Sequence, residues 1–213
     1  MKVKIDLNAT FPLAENLDGD FDLFINGFND CQKVKYSKEL NGESSRLKDI
    51  CRLSEKHGKI IISAFDTDNY GIIKQSAGVF YKGKLLGISD MTAVYEDGYY
   101  MPGSGGKLYQ TDIAKIGLAV GEDVYSFGLM KALAVCGAEI IIATTNFKKK
   151  EINSILTRAY AFLLGVPIVL LYNGGVYASG VDGNPVEIGD DGIIELTPYF
   201  EFVLKTTKTR LYR

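Results

Sequence analysis

Few side chains in this sequence could carry covalent or metal chemistry. The 213 residues hold three cysteines, Cys31, Cys51 and Cys136, an odd number without metal-type spacing, which argues against a disulfide framework and against a zinc site. The single histidine, His57, falls near the end of an expected helix, where a cation suits the helix dipole. With one histidine, Ser-His-Asp catalysis and multi-histidine metal binding are both remote, and no metal or cofactor is expected. What remains to consider is thiol chemistry at a cysteine. Such a cysteine stays inert unless its thiolate is stabilised.

The stretch that would position a reacting group is Lys115 to Asn146, KIGLAVGEDVYSFGLMKALAVCGAEIIIATTN. It reads as a buried strand, a sharp polar turn, a helix and a second buried strand, and strand-to-helix junctions of this kind commonly hold the site in α/β proteins. Ile116, Leu118 and Val120 share one face of the first strand. Gly117, Ala119 and Gly121 share the other and leave room for close packing. Glu122 and Asp123 close the strand, Ser126 is placed to cap a helix from about 127 to 135, and Gly137 is placed to end it. The run 139–144 is apolar almost throughout, as expected for a strand covered on both faces.

This stretch resembles the carbon-nitrogen hydrolase (nitrilase) family, whose nucleophile sits in a segment of the type G-[IV]-[GA]-[IV]-C-[YW]-D, followed by a helix and then G-A-[DE]. Here the match runs Gly117, Leu118, Ala119, Val120, Gly121, Glu122, Asp123, and later Gly137, Ala138, Glu139. Glycine stands at the cysteine position. The run DFDLFINGF resembles the family's D-L-[IV]-[VL]-F-P-E strand end, which puts Phe28 where the general-base glutamate is usual. Counting from Gly87 puts Met91 at the position of the catalytic lysine, while Lys82 and Lys84 belong to a hairpin tip. YEDGYYMPG resembles E-x-x-[YR]-[FY]-x-P-G, so Glu96 falls where many members carry a further pocket glutamate. TTN at 144–146, with Arg158 and Ala159 and then PIVLLYNGG, resembles the family's [PS]-[ST]-N, R-A and [AV]-N-x-x-G elements. Glu96, Glu122 and Asn146 are the implied pocket residues.

The resemblance covers the chain from about 2 to 210 and implies one domain, residues 1–213, with a four-layer α-β-β-α sandwich. It also implies a dimer formed through the helices after the nucleophile strand. Glutamate, lysine and cysteine read here as Phe28, Met91 and Gly121, which removes base, oxyanion partner and nucleophile together. The first expectation is therefore a non-catalytic member that binds a small molecule or a partner chain. The alternative is a carbon-nitrogen hydrolase with a relocated nucleophile such as Cys31, three positions after Phe28, with Glu96 or Glu122 as base and Lys33 or Lys35 nearby, and a decayed remnant is a third possibility.

Along the rest of the chain, 2–9 reads as a strand, and FPLAENLDGD leaves space only for a very short first helix, so that helix is shortened or absent and part of one sheet face would await another chain. Residues 30–42 read as a polar loop, 44–57 as a helix ended by Gly58, 59–65 as a strand and 67–70 as a loop. AGVFY and KLLGI form a hairpin around Lys82 and Gly83. The helix from about 150 to 164 presents Ile152, Ile155, Leu156, Ala159, Phe162 and Leu163 as its apolar face. A hairpin through Asp182, Gly183 and Asn184, a strand near 193–196 and a basic tail close the chain. With 46% hydrophobic residues, a net charge of -2, no long apolar run and no apolar leader, the chain reads as soluble and cytoplasmic, without nucleic-acid or membrane partners.

Overall fold

The computed structural model describes residues 1–7, 17–28, 33–94, 99–146 and 150–197. Two sheets face each other across a core made from alternate residues of their strands. The first sheet runs in the order β12 (Ile193–Glu195), β1 (Lys2–Asp6), β2 (Leu23–Asn26), β4 (Ile60–Asn69), β5 (Ile72–Tyr81), β6 (Lys84–Asp90), with β3 (Val34–Lys35) paired to β4. The second runs β11 (Gly175–Ser179), β10 (Ile168–Tyr172), β9 (Ile140–Thr144), β8 (Lys115–Val120), β7 (Lys107–Gln110). Ile60, Ile62, Ala64, Ala77 and Val79 of the first sheet meet Ile116, Leu118, Val120, Ile142 and Leu171 of the second. The period of two along each strand sends the intervening residues outward to the helices.

Helix α2 (Arg46–His57) packs on the outer face of the first sheet, near α1 (Tyr36–Leu40), and ends where Gly58 takes a left-handed φ of 64°. Helices α3 (Phe127–Val135) and α4 (Lys150–Leu164) cover the outer face of the second. The layers are thus α-β-β-α, as expected. The Ser126 side chain accepts a hydrogen bond from Leu129 N–H at the start of α3.

Several expectations need correction. The stretch 30–42 is not all loop: β3 and α1 occupy 34–40, with Val34 buried. β4 continues to Asn69, so 67–70 is strand turning at Tyr70 (φ 54°) and Gly71 (φ 87°) into β5. Both positive φ values match the tight hairpin turn that suits strand twist. The expectation of a short or missing first helix falls on 8–16, outside the described residues. The outer sheet face beside it, however, does not await another chain: Phe24, Ile61, Phe65 and Phe80 are all buried, with Leu17 and Phe21 packed among them.

The largest correction concerns α4. Its buried stripe is Asn153, Thr157, Tyr160, Ala161 and Leu164, whereas Ile155 is 64% exposed and Leu163 53%. Ile152, Ile155, Phe162 and Leu163 of the expected apolar face point away from the sheet, while Leu156 packs against the core. Polar atoms can lie inward because Tyr125 Oη donates to Asn153 Oδ1 at 3.1 Å and Thr157 Oγ1 to the Asn153 carbonyl at 2.7 Å.

Gly117 on β8 shows why small residues line that strand's outer face: a Cβ there would stand 3.1 Å from Ala138 Cβ and 3.3 Å from Leu133 Cβ and Ile141 Cγ1. Gly117→Val is expected to cost about 1–3 kcal/mol by overpacking α3 against the sheet. Gly128→Ala, in an exposed helical position with nothing within 4 Å, is expected to gain up to about 1 kcal/mol. Urea denaturation of both variants checks the contrast.

Candidate functional site

The end of β8 is where chemistry would sit, and backbone geometry explains what stands there. The chain leaves Val120 into a 3-10 turn, Gly121–Tyr125, with Gly121 at φ 61°. An L-residue in that region carries a steric cost, which glycine avoids. A Cβ built on Gly121 would overlap Met91 Sδ and come within 2.5 Å of Gln75 Oε1. Met91, just past β6, is buried, and its sulfur accepts a hydrogen bond from Glu122 N–H at 3.2 Å.

The structure therefore brings Met91 and Gly121 into contact. Phe28, two residues beyond β2, is partly buried and packs on the intersheet core that contains Met91. At its neighbour Gly27, a Cβ would stand 3.8 Å from Leu171 of the facing sheet. Leu171 pairs with Thr144, and Thr144 with Val120, so the β2 end reaches the same end of the sandwich as Gly121. Lys84 is exposed at the far end of β6 from Met91, and Lys82 pairs with Asp112 at the surface.

The other expected pocket residues fare differently. Glu122 is buried beside the turn, and its charge helps to raise the Tyr125 hydroxyl, after burial. Asn146 is partly buried at the end of β9, with an Oδ1 that has no hydrogen-bond partner. Glu96 and Cys31 lie outside the described residues. Of the two lysines considered beside Cys31, Lys33 holds its Nζ 5.2 Å above the Tyr99 ring and Lys35 pairs with Asp68 at 3.7 Å. Among the described residues no group of three or more His, Cys, Asp or Glu could hold a metal.

Two residues of the site, Gln75 and Asp66, go unrecognised in the sequence, and Asp123 reads there only as the close of the strand and the end of its motif. Asp123 is fully buried, and its carboxylate accepts from Thr92 N–H (2.9 and 3.0 Å), Thr92 Oγ1 (2.6 Å) and Ala93 N–H (2.8 Å). Burial pushes its carboxyl above the usual Asp range, while the donors from Thr92 and Ala93 oppose the rise. Gln75 is fully buried on β5 with neither amide atom hydrogen-bonded. Asp66 faces it across β4, accepts from Tyr100 Oη at 3.1 Å, and is likewise raised by burial. A hairpin centred on Tyr70 and Gly71 would have placed 66 opposite 75. The loop expected at 67–70 hid that pairing.

A two-sheet sandwich with helices on both outer faces and a turn site at the end of β8 defines the class: the chain has the nitrilase-superfamily fold. A carbon-nitrogen hydrolase from Helicobacter pylori G27 matches with a TM-score of 0.72 at 19% identity, covering 100% of this chain and 93% of that one. Nit3 of Saccharomyces cerevisiae, a member of branch 10 of the nitrilase superfamily, matches with a TM-score of 0.73 at 17% identity, over 91% of this chain and 88% of that one. An amidase mutant from Nesterenkonia sp. AN1, with the acetamide moiety of fluoroacetamide covalently added at its active-site cysteine, matches with a TM-score of 0.69 at 16% identity, over 91% and 88%. No family model and no curated protein matches the sequence.

Asp123 ties the residues after Met91 to the turn after β8. Asp123→Ala is expected to destabilise by about 1–3 kcal/mol, because the buried donors of Thr92 and Ala93 lose their acceptor. The sign of the pH effect follows from the raised carboxyl. Its contribution is complete below the ordinary Asp range and fades as pH rises through the folded-state value, so the slope between pH about 4 and 7 is expected to flatten in the variant. Urea melts across that range measure it.

Proposed function

We propose that the chain is a non-catalytic protein of the nitrilase fold that acts as a binding module, with Phe28, Met91 and Gly121 standing where active relatives hold base, amine and thiol. The observation that carries this reading is the filled niche: Met91 Sδ and Gln75 Oε1 take the space a side chain at 121 would need. The thioether also occupies Glu122 N–H, a backbone donor placed where an oxyanion would need one. A glycine offers no nucleophile, and loss of a whole catalytic unit costs about a millionfold in turnover in proteases.

Ammonia release from acetamide, propionamide and butyramide is expected to equal the buffer blank. Gly121→Cys alone is expected to stay inactive and to lose about 2 kcal/mol or more, from left-handed strain and overlap with Met91. Turnover by the unaltered chain would sink the proposal.

The partner we propose is a second copy of this chain, seated on the exposed sides of α3 and α4. Phe127, Val135, Ile152, Ile155, Phe162 and Leu163 are each between 43% and 64% exposed and lie on these two packed helices. Large apolar side chains left exposed together on two packed helices suit an interaction site, and they fall on the helices through which the family resemblance implies dimers. Among the described residues no helix is long and apolar enough to cross a membrane, and free Cys51 and Cys136 suit a reducing compartment, so we place the protein in the cytoplasm. Ile155→Asp with Leu163→Asp is expected to convert a dimer to monomer in sedimentation analysis, with little change in chemical stability of the fold. A monomer before substitution would remove the second copy from the proposal.

A further inference from the structure

Residues 99–104 form a strap along the edge of the first sheet, held almost entirely by its backbone. Met101 N–H donates to the Ile73 carbonyl and Gly103 N–H to the Met91 carbonyl, both at 2.8 Å. Asp90 N–H donates to the Ser104 carbonyl at 3.0 Å, and Ser104 N–H to Asp90 Oδ2 at 3.2 Å. Gly103 and the following Gly105 let this backbone lie flush on Asp90, which a Cβ at either position would overlap. A strap laid down this way buries few side chains: Tyr99, Met101, Pro102 and Ser104 are exposed, and of residues 99–104 only Tyr100 packs on the intersheet core. Segments with few buried apolar contacts and hydrogen bonds at a sheet edge open locally at low free energy.

What Tyr100 covers sets the balance between down and up. Asp66 and Gln75 are directly paired between β4 and β5, and their side chains leave the face that looks toward the second sheet, since Ala64 and Ala77, two residues along each strand, lie in the intersheet core. Tyr100 Oη donates to Asp66 Oδ2 at 3.1 Å across that face. Burial raises the Tyr100 hydroxyl and the adjacent Gln75 amide opposes the rise, which puts the ring beside that amide. Gln75 is fully buried with neither amide atom hydrogen-bonded. Closure therefore carries a cost of its own. With the strap down, an N–H donor and a carbonyl acceptor stay dry and unpaired; with Tyr100 lifted, water satisfies both.

We propose that residues 99–104 are a lid that opens while the sheets stay folded, with Tyr100 Oη on Asp66 as its latch and hydration of the Gln75 amide favouring the open form. Lifting Tyr100 uncovers Gln75, next to Met91 and Gly121. Opening frees the Asp90, Met101 and Gly103 amides, whereas Met91 N–H, bonded to the Gln75 carbonyl at 2.9 Å, stays within the sheet. The lid concerns how the niche is reached, and it holds whether or not the chain is catalytic.

Native-state hydrogen exchange of the full chain at neutral pH, resolved amide by amide by NMR, tests this with Met91 as the internal reference. The Asp90, Met101 and Gly103 amides are expected to lose protection together, exchanging about tenfold or more faster than Met91. Tyr100→Phe, which removes the latch and keeps the ring, is expected to speed those three about fivefold relative to Met91. Gln75→Leu, which removes the dry amide, is expected to slow them about fivefold relative to Met91. Exchange of the three at the Met91 rate overturns the lid, and so does a Gln75→Leu variant in which the ratio to Met91 is unchanged. Should Gln75→Leu fail to fold, Tyr100→Phe carries the decision, and an unchanged ratio there overturns the proposal.

Discussion

A single buried carboxylate holds the two halves of the sandwich in register at the end where chemistry would occur. Asp123 follows the last strand residue of β8 by three positions, and it accepts from Thr92 and Ala93, just past β6 of the other sheet. A carboxylate taken fully out of water is tolerated only when donors surround it. Its four contacts come from two backbone amides and one hydroxyl, none of them charged, so the clamp depends on geometry and has no ion pair to fall back on. Met91 is the residue just before Thr92. Once Asp123 fixes the 92–93 backbone, the Met91 side chain is aimed at Gly121.

From that clamp the character of the niche follows. The fold needs a turn at 121–125 with one left-handed residue, and it needs the chain after β6 to come close. Neither requirement specifies what the side chains at 91 and 121 do. A polar pair there would have to be buried with partners supplied; a thioether and a bare backbone require none. Met91 is unbranched and polarisable, so it can fill the space beside a glycine and still accept a weak hydrogen bond from Glu122 N–H. The turn at 121–125 is set by the closure of the sheets, whatever its side chains do.

How far the sequence disclosed this varies with the physics of each element. The β8 strand, its turn, α3 and β9 were legible because apolar alternation, the Ser126 cap and a terminating glycine all agreed. β7 went unread: KLYQ is short and half polar, and it pairs only at the sheet edge beside β8. The far half of β4 went unread because Asp66, Thr67, Asp68 and Asn69 look like loop residues, yet their cross-strand partners Gln75, Lys74, Ile73 and Ile72 are what make them strand. In α4, helical spacing correctly gave the element and wrongly gave its inner side. Apolar periodicity cannot tell a face that packs on a sheet from one offered to another surface, and the truly buried stripe was disguised by Asn153 and Thr157.

The same limit explains why the contact between positions 91 and 121 could be expected and Gln75 could not. Motif spacing follows the chain, and Met91 and Gly121 both lie in segments with recognisable spacing. Gln75 enters the niche only through a strand pairing, and nothing local marks it as different from any other polar residue in a hairpin. Its amide is fully buried and unpaired, which packing alone does not account for. Phe28, Met91 and Gly121 keep this part of the interior poor in polar groups, and on that ground alone an apolar residue at 75 would fit beside them. The chain keeps an amide there instead, opposite the Asp66 carboxylate across the β4–β5 pairing.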